Sequence, residues 1–460
     1  MKRLLLLLFS TLLLSATLCI SASASDFDAV AEDLSTIGMF RGTAHGFELD
    51  RAPTRSEAAI MLVRLYGAEE AAKSAYESGE ISHPFTDVSA FTSPYVAWLY
   101  TNGITNGFTE TTYASQRACS AQNYVVFLLR ALGYKDGVDF QYADALSFAQ
   151  KKGFYDPALF TGEFLRDDLA ALTYQGLATD MADEETYLLD ALIGSGAIEK
   201  TSAKPMTEKI EAYRTINSAL TALDAGSIDA DILQNIDMDI AAEINGSQIQ
   251  FSAASSTLQS IQIVSRDNQL LQLGYVQEIS ENGEHQTTSI WLKDNYLYTV
   301  LEKADMGLYS KTPLTETDTL LQELDTIDAA SMDVSGLAVI DTITEKRFGS
   351  DIVYTVLLSE NMGGMLDTLI ADIGEDFTST TIDAVSLVYT LDYNGQLKSE
   401  EISFHMSATA NMPMDDGAIV PAAVSCTYHM AMTVNATGPR VKVSYPDFSK
   451  LIEIAPFNAM

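Results

Sequence analysis

Two histidines stand in strand-like segments, His405 and His429, and with Cys426 they are the first residues to test for chemistry. Zinc is held when three or four imidazole, thiolate or carboxylate groups converge. Successive side chains on a strand point to opposite faces, so Cys426 and His429, three apart, cannot share an ion. Alternation places both histidines on the outer side, with Ser403, Ser407, Thr427 and Thr433. No metal site is expected. The sequence has no spacing for a nucleophile elbow, a zinc-protease helix or a phosphate loop, and Gly363-Gly364 lies inside a helical pattern. Asn435-Ala436-Thr437 matches a glycosylation acceptor only formally. Carboxylates are abundant enough for an acid pair to flank a glycosidic bond, but no spacing singles one out. The expectation is no catalytic residue and no cofactor.

The elements that would position any site belong to a chain of 460 residues, more than one hydrophobic core usually organises, so several domains are expected. Hydrophobic residues make up 47% and charged residues 20%, an ordinary globular balance. Against 63 Asp and Glu stand 27 Lys and Arg, a formal charge of -36 that repels phosphate backbones, so no nucleic-acid partner is expected. Lys2 and Arg3, the apolar run Leu4 to Leu14 and Ala22-Ser23-Ala24 read as a signal peptide over 1–24, too short to be preferred as a spanning helix. The mature chain would then carry no transmembrane span. Cys19 follows Leu18, where a lipid-attachment signal wants a small residue, so lipidation is not expected. Cys119 and Cys426 remain and read as buried small hydrophobes.

The first half repeats itself. One copy reads Phe85-Thr86-Asp87-Val88, a helical run Tyr95 to Thr101, the turn Gly103-Ile104-Thr105-Asn106-Gly107 and a helix from Ser120 to Leu132. An earlier copy has Gly38-Met39-Phe40-Arg41-Gly42 and Thr54-Arg55-Ser56-Glu57 opening a helix that ends at Gly67; a later one has Gly153-Phe154 and Leu165-Arg166-Asp167-Asp168. Gly38, Gly103 and Gly153 fall where a left-handed helix C-cap favours glycine. Thr54 and Ser120 fall at N-caps, and Glu57 completes a capping box with Thr54. One such helix pair cannot bury its own face, so the copies should pack into one body. The boundaries are 25–70, 80–135 and 136–180, with a closing helix and polar linker over 181–206 around Lys200 to Pro205.

These motifs resemble the S-layer homology (SLH) domain, with its F-x-D-V opening, G-I-x-x-G turn and T-R-A-E helix start. The resemblance implies three repeats in an all-α, pseudo-threefold bundle that grips secondary cell-wall polysaccharide, often pyruvylated, in grooves between repeats. It therefore implies a secreted, non-catalytic protein held non-covalently on the bacterial cell wall. The family's groove arginine falls on Arg55 and Arg166, while the middle copy has Ala121 there and Asn123 in place of the acid. A guanidinium makes two charge-assisted hydrogen bonds to a carboxylate, the group an acidic sugar offers. Asp87, Gly38 and Gly103 complete the implied polymer-binding set. The family's tryptophan is replaced by Phe91 in the second copy and Gln141 in the third. Tyr95 and Trp98 read as bundle core and Asp87 as a cap of its loop, the plainer alternatives to ligand contact.

From residue 207 to 460 the reading is an α+β domain, opened by an amphipathic helix over 208–225. Beyond Asn235 the period becomes two: Ile236, Met238, Ile240, Ala242 and Ile244 share a face, and Asn245-Gly246 and Asn394-Gly395 mark hairpins. Further strands are expected at 271–279, 289–301, 337–344, 352–358 and 441–445, with short helices at 316–324 and 360–373. A continuous apolar face on antiparallel strands calls for a curved sheet packed on helices. This arrangement is similar to the half-barrel of LolA-like and LppX-like lipoprotein carriers, which implies an apolar ligand. Met238, Met406, Met430 and Met432 would line such a pocket, or else form plain core. A wall-remodelling enzyme is the alternative from another class.

Overall fold

The computed structural model describes residues 27–157, 159–160, 162–224, 226–244, 247–266, 269–281, 284–303, 306–313, 334–359, 377–413 and 419–454. The signal peptide, the Asn245-Gly246 turn, Gly363-Gly364 and the helices expected at 316–324 and 360–373 lie outside these residues. The chain divides into two units: one runs to Tyr213 and takes in a segment ending at Asp341, and the other holds the remainder from Arg214 onward.

The first unit is helical. Its helices are α1 (Asp28–Thr36), α2 (Arg55–Leu65), α3 (Glu69–Glu77), α4 (Ser93–Thr101), α5 (Ala121–Ala131), α6 (Ala145–Lys151), α7 (Arg166–Ala178) and α8 (Leu188–Gly194). The start of α9 (Lys200–Asp224) follows. α2, α5 and α7 bury Leu62, Leu128, Leu129 and Leu172 completely. Gly38, Gly103 and Gly153 take φ of 75°, 70° and 77°, as C-caps require. At Gly107, with φ 79°, an added Cβ would also overlap the Phe85 ring. The polar joint expected at 200–205 is instead the first turns of α9, with Pro205 inside the helix. Ala203, Met206, Ile210 and Tyr213 recur at helical spacing and are all buried, so one-sided packing overrides the polar composition.

A 3-10 turn, Val334–Val339, far downstream in sequence, belongs to this unit. Leu337 is fully buried and Ala338, Val339 and Ile340 nearly so. The half-buried Lys209 ammonium donates to the Ile340 carbonyl at 2.6 Å.

Among the described residues the second unit is an open sheet of 12 strands in the order β12-β6-β5-β4-β3-β2-β1-β11-β10-β9-β8-β7, antiparallel in the described pairings apart from β12 on β6. Its central strands are β1 (Ile228–Ile244), β2 (Ser247–Arg266), β10 (Leu397–Pro413) and β11 (Ile419–Thr437). β3 (Gln269–Glu281), β4 (Glu284–Lys293), β5 (Tyr296–Lys303), β6 (Met306–Pro313) and β12 (Ile452–Glu453) lie to one side. β7 (Ile340–Phe348), β8 (Asp351–Leu358) and β9 (Phe377–Leu391) lie to the other. The strand expected over 289–301 is two, β4 and β5, turning at Asp294 and Asn295, which both take positive φ. Residues 337–344 are a 3-10 turn followed by strand. Residues 441–445 alternate without joining a ladder; Val443 and Tyr445 pack on Trp291, Tyr298 and Val300 instead.

Candidate wall-polymer interface

The starts of α2 and α7 are each tied to a loop distant in sequence. At α2, Thr54 Oγ1 accepts from the Glu57 N–H at 3.2 Å and Glu57 accepts from the Thr54 N–H at 2.8 Å, which is the expected capping box. The Arg55 N–H then donates to the Arg117 carbonyl at 2.8 Å and the Ser56 N–H to the Ser115 carbonyl at 3.2 Å. Arg55 Nε donates to the Tyr113 carbonyl at 3.1 Å, and its guanidinium lies 4.9 Å over the Tyr113 ring. The loop is itself tied by Asp87, which accepts from the Tyr113 and Ser115 N–H groups at 2.7 and 3.1 Å. Burial opposes the charge on Asp87, but these amides outweigh it and lower its pKa. Asp87 thus positions the loop that Arg55 rests on.

The same junction recurs at α7. The Arg166 N–H donates to the Arg51 carbonyl at 2.9 Å, the Asp167 N–H to the Leu49 carbonyl at 3.2 Å, and Arg166 Nε to the Phe47 carbonyl at 2.8 Å. The Arg166 guanidinium lies 4.8 Å over the Phe40 ring. Here the arginine is 3% exposed, and Nη1 donates to Glu57 Oε1 at 2.8 Å. Glu57 also takes Arg51 at 2.6 and 3.0 Å, and Arg51 reaches Glu48 at 3.2 Å. Burial works against the Glu57 charge, yet these donors hold its pKa below the usual range.

At the third helix start, Ser120 caps α5 by accepting from the Asn123 N–H at 3.3 Å. Asn123 donates its side-chain amide to Ser120 Oγ at 3.0 Å and accepts from the Tyr142 hydroxyl at 2.9 Å. Tyr95 is buried and donates to Glu69 at 2.6 Å, while Trp98 packs on Tyr66 at 5.4 Å, so both belong to the packing of the helices. Phe91 is 71% exposed.

The structure therefore brings Arg55, Tyr113 and Asp87 together and puts Arg166 in a separate, ion-paired junction. Gly38 and Gly103 shape turns. Sequence reasoning passed over Arg117, Arg51 and Glu48. Superposing the copies at constant offset from the N-caps Thr54 and Ser120 finds them: Glu48 falls on Ala114, with φ of 52° and 60°, and Arg51 on Arg117.

In the sheet, Met238, Met406 and Met430 pack in one cluster with Ile236, Val424, Cys426 and Tyr428; Met432 is buried two positions further along β11. Burial pushes the free Cys426 thiol up to about 11 and the free Cys119 thiol to about 12, which leaves both unreactive. The apolar face is interrupted by Gln234, Thr257 and Gln259, all buried, and by Glu400. Among the described residues no cluster of metal-binding side chains occurs, and no helix is long and apolar enough to cross a membrane.

Residues 84–120, which carry Asp87, the Gly103 to Gly107 turn and the loop under Arg55, match the S-layer homology domain. The Middle cell wall protein of Brevibacillus brevis is 28% identical over 117 residues, 25% of this chain and 11% of that protein. The chain thus spans about a tenth of the length of that curated relative. Among solved structures, a DUF1329 family protein from Desulfovibrio piger is 9% identical with a TM-score of 0.14, over 52% of this chain and 95% of that one. An outer membrane channel from Pseudomonas putida F1 is 13% identical with a TM-score of 0.14, over 46% and 98%.

Proposed function

We propose that this is a non-catalytic bacterial surface protein, exported and held non-covalently on the cell wall by three S-layer homology repeats in a pseudo-threefold bundle. The repeats grip an acidic secondary wall polysaccharide, and the downstream sheet, a half-barrel, is displayed outward. The observation that carries this reading is the family match at 84–120, because it covers the loop on which the Arg55 guanidinium lies. A guanidinium over an aromatic ring, at a helix start, suits a sugar carboxylate: the fork supplies paired donors and the ring a fixed platform. Pyruvylated sugars are one source of that carboxylate.

The test is co-sedimentation of the mature chain with purified cell walls, before and after the secondary polymer is stripped. The whole mature chain is needed, because the segment ending at Asp341 is part of the helical unit. Retention on intact walls and loss on stripped walls is expected; equal binding to both would remove the proposal.

A further inference from the structure

The two arginine junctions share a backbone but not a charge balance. At the α7 junction two cations, Arg166 and Arg51, meet two carboxylates, Glu57 and Glu48, and all are engaged. At the α2 junction the corresponding cations are Arg55 and Arg117. The positions of the two carboxylates are taken by Ala114 and Asn123, and the Asn123 amide is committed to Ser120 and Tyr142. Among the described residues no ion pair engages Arg55 or Arg117. Arg55 is half-buried and Arg117 exposed, its guanidinium 5.0 Å over the ring of Phe108, which is itself 59% exposed. At the same offsets, the remaining pair of positions in the sequence is Ala121 and Gly162, and neither is a cation.

We infer that the α2 junction is the anion site of the bundle, with Arg55 and Arg117 acting together on one acidic sugar, and that the α7 junction is closed by its own carboxylates. This inference rests on the anchoring proposal and deepens it. Its physical basis is competition. A ligand carboxylate at the α7 junction would have to displace Glu57 from a half-buried pair, whereas at the α2 junction it supplies the counter-charge that Arg55 and Arg117, joined by the Arg55 N–H to Arg117 carbonyl bond, both lack. Arg117 becomes a binding residue, and the absence of acids at 114 and 123 becomes the feature that keeps the site open.

The test transplants the closure. In the mature chain, Ala114→Glu with Asn123→Glu rebuilds the acid pair of the first copy at positions whose backbone matches, Glu48 and Ala114 both having positive φ. Retention on walls should fall at least ten-fold, as it should in Arg55→Ala with Arg117→Ala, while Arg51→Gln at the closed junction leaves retention unchanged. A folded graft that pellets like the parent, or an Arg51→Gln loss equal to that of the Arg55 and Arg117 pair, would overturn the inference. If the graft fails to fold, Arg117→Gln at its exposed position carries the test: retention should fall, and parental retention would overturn the inference. A second readout separates this inference from the anchoring proposal. Sodium glucuronate titrated into the protein should shift the arginine Nε–H resonances of Arg55 and Arg117 in the parent but not in the graft. No shift in the parent overturns the site even if walls are bound, and a shift without wall retention overturns only the anchoring.

Discussion

Glu57 completes the cap of its own helix through Thr54 and neutralises Arg51 and Arg166 from two different segments. That double role explains why motif reading alone treats Arg55 and Arg166 as equals. Both open a helix in the expected register, yet Arg166 is ion-paired by Glu57 from α2, while among the described residues no ion pair engages Arg55. Glu400 shows the opposite balance. Burial pushes its carboxyl up to about 7, and a hydrogen bond with Tyr389 offsets this only in part. A carboxyl whose folded pKa lies above its unfolded value, near 4.5, holds its proton longer in the native state. The contribution of Glu400 to stability is therefore fully present below that unfolded value and is lost as pH rises through about 7. Urea midpoints of the sheet unit across this window should show the decline in the parent and a flatter profile in Glu400→Gln. An unchanged slope in the variant would mean that another group titrates.

Much of the element layout was legible because one-sided burial leaves a period. The caps at Thr54 and Ser120, the left-handed glycines and the paired strands on either side of Asn394-Gly395 all follow from local chemistry. The departures have tertiary causes. Asp294 and Asn295 turn a chain whose alternation continues through them, so β4 and β5 read as one strand. Residues 441–445 alternate because they cover Trp291 and Tyr298, not because they pair. The 3-10 turn ending at Val339 was hidden most completely, since its partners Lys209 and Tyr213 lie far upstream. Leu337 is fully buried there, so Leu337→Asp places a charge in the helical core. We expect the helical unit to lose about 3 kcal/mol or more, seen as an earlier helical melting transition. A transition at the parental temperature would show that this segment adds nothing to the helical core.

For the whole molecule the governing tension is charge. The chain carries a formal charge of -36, and the ligand proposed for it is also an anion. Long-range attraction cannot bring them together, so binding must come from short-range, geometrically matched donors. Added salt, which screens the repulsion between distant charges more than it weakens a partly buried contact, should reduce affinity only mildly or raise it. The sheet unit takes no part in this account of anchoring. The most direct measurement is the affinity of the mature chain for released wall polymer, before and after the polymer's carboxylates are chemically converted to neutral amides. The account predicts that neutralisation abolishes binding. Equal affinity for the acidic and neutral forms would contradict it.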